Sequence, residues 1–106
     1  HVGDDEALRT VFSYTRYGVD RNIRIECVNT LASAWKDRDE VITHLLHMLG
    51  DPSFHVRRAV IGALGNMRNV RALQPLQERM AIETDTRVVK DVRDAVEKIQ
   101  QAQQSH

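Results

Sequence analysis

The residues of this 106-residue chain best suited to metal or nucleophile chemistry are five histidines and one cysteine. His44 and His47 stand three apart, about one helical turn, and His55 follows soon after. Three neutral imidazoles can ligate zinc, which takes its four ligands from imidazole, thiolate or carboxylate. Spacing places no carboxylate or thiolate to complete such a set, so all three read as surface or loop residues. Cys27, the single cysteine, falls on an apolar stripe and reads as a small core residue. No base is set beside it to generate a thiolate. Neither a Gly-x-Ser-x-Gly elbow nor a His-Glu-x-x-His zinc helix occurs. No catalytic, metal or cofactor residues are therefore expected, and the chain by itself is not expected to be an enzyme.

The remaining groups with chemistry to offer are cations, above all Arg24, Arg57, Arg58, Lys90 and Arg93. Guanidinium and ammonium groups bind carboxylates or phosphates. Lys plus Arg number fifteen and so do Asp plus Glu. A balanced chain offers no phosphate-binding field, which disfavours nucleic acid as a partner. No apolar run approaches the ~20 residues that cross a bilayer, so no membrane partner is expected. One unpaired cysteine favours a reducing, cytoplasmic setting. The opening His1-Val2-Gly3 in place of Met suggests a piece of something longer.

Helices position these side chains. Apolar residues recur at i, i+3, i+4 and i+7 in six stripes: Leu8, Val11, Phe12, Thr15; Ile23, Cys27, Leu31, Ala34; Ile42, Leu45, Leu46, Leu49; Val56, Val60, Leu64, Met67; Leu73, Leu76, Met80; Val88, Val92, Val96, Ile99. Each stripe marks one buried helical face. Period-two alternation is missing, so no strand is expected. Gly18 and Gly50 can take the left-handed conformation that stops a helix. Asp20, Ser53 and Asp85 each precede an apolar anchor by three residues and suit the cap position, where a side-chain oxygen accepts from first-turn amides. Pro75 falls in a first turn, where its missing N–H does little harm. The reading is six helices near 5–17, 20–36, 38–49, 53–67, 70–82 and 85–102. Phe12, Tyr14 and Tyr17 read as core or stack-end aromatics, Trp35 as a packing anchor, Arg79 as a polar-face residue and residues 100–104 as a frayed end.

The cap-and-anchor pattern repeats at separations of 33 and 32 residues (Asp20, Ser53, Asp85). A period of that length holding two helices is the mark of a helical repeat array, since one helix pair cannot bury its apolar face alone. The segment Gly50-Asp51-Pro52-Ser53-Phe54-His55-Val56-Arg57-Arg58 with Ala63-Leu64-Gly65 closely resembles a HEAT repeat. Ile23-Arg24 with Leu31-Ala32, and Val88-Val89-Lys90 with Ala95-Val96, are weaker copies. The resemblance implies an all-α solenoid of about three antiparallel helix pairs (4–36, 37–69, 70–102) in a right-handed stack, one domain over 1–106.

It also implies a ladder in which Arg24, Arg57 and Lys90 bond to acidic turn residues of neighbouring repeats, drawn from Asp20, Asp51 and Asp85. The function so implied is non-catalytic contact with a protein or with an upstream domain of the same polypeptide, on the ridge carrying Arg24, Arg57, Arg58, Lys90 and Arg93. A finer resemblance rests on Tyr14-Thr15-Arg16-Tyr17-Gly18 followed by Asn22-Ile23-Arg24, the strong middle repeat and the Gln-rich close. That order is similar to the C-terminal helical segment of bacterial zinc aminopeptidases of the aminopeptidase N type. It implies an accessory domain whose active site lies upstream.

Overall fold

The computed structural model describes residues 2–16 and 18–104, with side chains from position 5 onward. Tyr17 lies outside the described residues. The elements are α1 (Val2–Ser13), α2 (Arg21–Ala34), α3 (Asp39–His47), a 3-10 turn (Met48–Gly50), α4 (Phe54–Met67), a second 3-10 turn (Val70–Ala72), α5 (Leu73–Ile82) and α6 (Thr86–Gln104). No strand occurs among the described residues. The helices thus fall where the stripes put them, and the third and fifth are each joined to a 3-10 turn that the sequence reads as helix.

The caps explain the helix starts. The Asp20 carboxylate accepts from the Asn22 amide at 2.8 Å, the Ser53 hydroxyl from Val56 at 3.4 Å and the Asp85 carboxylate from Arg87 at 2.9 Å. Each satisfies a first-turn donor with no partner inside the helix, worth about 1 kcal/mol. The stops divide differently from expectation. Gly18 has φ +104° and does turn the chain left-handed, whereas Gly50 only ends a 3-10 turn; among the described residues the other with positive φ is Arg68, φ 55°, at the end of α4. The first helix ends at Ser13, not near 17, because the following residues turn and carry Thr15 inward.

α2, α4 and α6 lie side by side, α4 packing against both neighbours, while α1 packs on α2, α3 on α4 and α5 on α6. The described chain measures 36 × 35 × 16 Å. The thin dimension fits two helix layers with axes about 10 Å apart. Between the layers runs one core of Leu8, Val28, Leu31, Val41, Leu45, Val56, Val60, Leu64, Leu76, Val88, Val92 and Ile99, each 2% exposed or less.

Two stripes need correction. α2 buries Arg24, Val28 and Leu31, one residue round from the expected Ile23, Cys27 and Ala34. Ile23 is 47% exposed, Ala34 is exposed and Cys27 is half-buried. In α6, Ala95 is buried in place of Val96, which only packs against the core from outside.

Candidate interaction surface

The arginines of the middle of the stack do not all face outward. Arg24 is inside, its side chain 7% exposed and that of Asp51 6%. Its Nη2 donates to Asp51 Oδ1 at 2.9 Å and its Nε to Oδ2 at 3.0 Å. This fork spans from the first helix pair to the turn that opens α4. Arg24 Nη1 also donates to the Val19 carbonyl, and Asp51 Oδ1 accepts from the Ser53 amide at 2.9 Å. Two buried charges out of water are tolerable only when every polar atom is so used.

Arg57 makes the next rung. Its Nε and Nη2 donate to Glu83 at 2.9 and 3.2 Å, and its Nη1 to the Asp51 and Pro52 carbonyls at 2.9 and 3.2 Å. The acceptor is Glu83, not the expected Asp85, which instead pairs with Arg87 at 2.9 Å. Glu83 stands two residues before a cap, the place Asp51 holds in the preceding repeat, and that offset is the signal that could have found it. The Glu83 side chain is fully buried and also accepts from Arg79 Nε at 3.1 Å. Burial pushes its carboxyl up, but the Asp85 amide and the Arg57 and Arg79 guanidiniums outweigh that and hold it below the ordinary carboxylate range. Arg79 is therefore a bound partner, not the indifferent polar-face residue the sequence suggests.

Lys90 does not form a third rung. Counted from the cap, the place of Arg24 and Arg57 is taken by Val89, and Lys90 pairs within its own helix with Asp94 at 3.2 Å. Of the five expected ridge residues, Arg24 and Arg57 are thus occupied in the ladder, while Arg58, Lys90 and Arg93 are exposed. Arg58 pairs across helices with Asp91 at 2.6 Å.

Arg58 also stands where two shallow grooves meet on α4. One, of about 410 Å³, runs along α2 and is lined by Asn29, Ala32, Ser33, Ala59, Gly62 and Ala63 among others. The second, of about 440 Å³, reaches from Ile25 of α2 across α4 to α6 and is lined by His55, Ala59, Gly62, Asp91, Asp94 and Lys98 as well. Their shared floor is Ala59 and Gly62, small residues that pattern reading for charges passes over. A Cβ built on Gly62 meets nothing within 4 Å, whereas one on Gly65 lies 2.9 Å from Ala95 Cα and Cβ. Gly65 is thus a packing requirement between α4 and α6, and Gly62 is not.

The metal-type residues stay apart. His44 is half-buried rather than on the surface. Its ring stacks on Phe12 with centroids 4.2 Å apart, and its Nε2 lies 2.7 Å from Thr15 Oγ1. The Thr15 hydroxyl donates to the Phe12 carbonyl at 2.6 Å, which leaves its oxygen to accept from His44 Nε2–H. Burial, with a smaller push from His47, lowers the His44 pKa. His55 lies instead against Phe54, ring centroids 3.9 Å apart and planes tilted by 34°. No group of three metal-ligating side chains occurs among the described residues. Burial, helped by Glu26, pushes the Cys27 thiol up, away from the thiolate form a nucleophile needs. Trp35 packs against the core; Tyr14 is exposed.

No helix among the described residues is long and apolar enough to cross a membrane. Comparison with curated proteins and with solved structures gives no match. A family model does match: that of HEAT repeats, over residues 2–97. With that span, the paired helices and the guanidinium ladder between successive turns, the chain belongs to the HEAT-repeat family.

Proposed function

We propose that this chain is a non-catalytic contact module whose α4 face, from Arg58 to Asn66, binds a protein segment. Solenoids of stacked helix pairs present extended surfaces of this kind. The observation that carries the reading is Gly62. Glycine inside a helix costs about 0.5–1 kcal/mol relative to alanine, and here no neighbour requires it. It lowers the floor where both grooves meet, so that a partner backbone can come close. The rim carries both signs of charge, with Arg58 and Lys98 against Asp91 and Asp94, which suits the mixed charges of a protein and not a polyanion. A photo-crosslinking residue at position 62 tests this in cells producing the protein. Adducts with one defined protein at 62, absent when the crosslinker is at Thr10, support the reading; equal adducts at both positions overturn it. The isolated chain should also hold no stoichiometric zinc by mass spectrometry and turn over no aminoacyl amide. One tightly held zinc, or turnover lost with His44→Ala, would contradict the non-catalytic reading.

In the finer resemblance to the aminopeptidase N accessory segment, carried by Tyr14 to Arg24, the occupant of this face is an upstream domain of the same polypeptide. The reading frame ahead of His1 decides between that and a separate protein. In either case a cytoplasmic setting suits the unpaired Cys27.

A further inference from the structure

The two ends of the stack are chemically different, and the repeat itself says what one of them should meet. Counting from the caps Asp20, Ser53 and Asp85 aligns Ile23 with Val56 and Val88, Cys27 with Val60 and Val92, and Thr30 with Ala63 and Ala95. In α4 and α6 all of these positions are buried, the valines completely. In α2 the same positions are open: Ile23 is 47% exposed, Cys27 is half-buried and Thr30 is exposed, as are Glu26 and Ala34 beside them.

Contacts across the inner junctions show which face each neighbour uses. At the α4–α6 junction the incoming face of α6 is Asp91, Ala95 and Lys98, meeting Arg58, Gly65 and Asn66 of α4. At the α2–α4 junction Asn29, Ala32 and Ser33 stand across a groove from Ala59, Ala63 and Asn66. The incoming face of α2 is then Ile23, Glu26, Cys27, Thr30 and Ala34: one acid, one hydroxyl that is turned to the Glu26 carbonyl, and three apolar or weakly polar side chains. Glu26 holds the place of Asp91, which pairs with Arg58 at 2.6 Å. The Glu26 carboxylate has no ion pair among the described residues. The outgoing face of α6, by contrast, carries Lys90, Arg93 and Glu97, all exposed.

We infer that this outer face of α2 is a second docking surface, independent of the α4 grooves, for a helix lying parallel to α2 with the outgoing pattern of α4. That pattern is a basic residue to meet Glu26, a branched aliphatic residue three positions on to cover Ile23 and Cys27, and a small residue four further on, as Arg58, Ile61 and Gly65 provide within the stack. A second copy of the chain does not fit, because its α6 would bring Arg93 to the position of Ile61 and bury a guanidinium against Ile23 and Cys27.

The single cysteine gives a direct readout. Fusing a duplicate of residues 37–69 ahead of residue 1 presents the required helix, and Cys27 remains the only thiol. Disulfide-exchange labelling of Cys27 should slow about tenfold or more relative to the unextended chain, as for any group reached only by local opening. Ile23→Asp in the fusion should restore fast labelling, and the same substitution in the unextended chain should leave its urea midpoint unchanged. Unchanged labelling in the fusion overturns the inference. A large midpoint loss for Ile23→Asp in the unextended chain overturns it too, by showing the face to be internal. Labelling of the unextended chain that slows with rising concentration would make a second copy the occupant, and would also overturn it.

Discussion

The two junctions inside the stack join equivalent helix pairs by different means. Between the first and second pairs, the one fully buried polar tie is the fork of Arg24 on Asp51, with a half-buried contact of His44 with Thr15 and an exposed pair of Arg38 with Asp5 beyond it, and a groove of about 410 Å³ lies between α2 and α4. Between the second and third pairs the ties are distributed. Gly65 lies against Ala95, Glu83 is shared by Arg57 and Arg79, Arg58 pairs with Asp91 and Lys98 with Asn66, and Arg87 sits 4.1 Å over the Phe54 ring. The first junction is most vulnerable at its desolvated pair. The second junction loses its exposed ties cheaply but tolerates no gain of volume where the backbones touch.

The largest expected effect is therefore at the first junction. Arg24→Ala leaves the Asp51 carboxylate buried without its partner and should cost about 3–5 kcal/mol. Arg58→Ala, removing an exposed tie of the second junction, should cost under about 1 kcal/mol. Urea midpoints measure both, and comparable shifts would erase the distinction between the junctions. Next in size is Gly65→Ala. The new methyl would lie 2.9 Å from Ala95 Cα and Cβ, and α6 must move to admit it, at about 1–3 kcal/mol. A neutral Gly65→Ala would mean that the α4–α6 contact is looser than the geometry shows.

The difference between the junctions was only partly readable in the sequence. The number of helices and their pairing follow from the stripes and from the repeated caps at Asp20, Ser53 and Asp85, because cap chemistry and apolar spacing are local. The buried face of α2 did not follow. A pattern that scores Arg as polar selects Ile23 and Cys27, yet Arg24 is inside because Asp51, 27 residues away, satisfies it. Glu83 escaped for the same reason: its role comes from two guanidiniums brought to it by folding. Among the candidate surface residues, Arg58 was legible as a charge on the ridge. The groove floor under it was not, since Ala59 and Gly62 matter there for what they leave empty.

A third effect is confined to acid. Glu83 has a folded pKa below its ordinary value near 4.5, so the unfolded chain takes up its proton first. The stability it contributes is present above about pH 4.5 and is lost as pH falls through the folded value. Glu83→Gln should flatten the fall in unfolding free energy below pH 4.5, read from urea titrations at stepped pH. An unchanged slope would show that the second junction does not depend on this carboxylate's charge.

The smallest effect is opposite in sign and separates structure from function on a single helix. Gly62 and Gly65 lie in the same α4, three residues apart, and both lack a side chain. At Gly65 the missing Cβ admits Ala95. At Gly62 the space is open, so alanine there gains helix propensity and meets no neighbour. Gly62→Ala should stabilise the chain by about 0.5–1 kcal/mol. The gain is the counterpart of what the wild type gives up by keeping glycine, and a groove floor held low for a partner is the reason offered for it. The same variant should then reduce crosslinking from a probe at Ala59 although its urea midpoint is higher than wild type. Greater stability with undiminished crosslinking would leave Gly62 without a role in contact and would move the interface away from the meeting point of the two grooves.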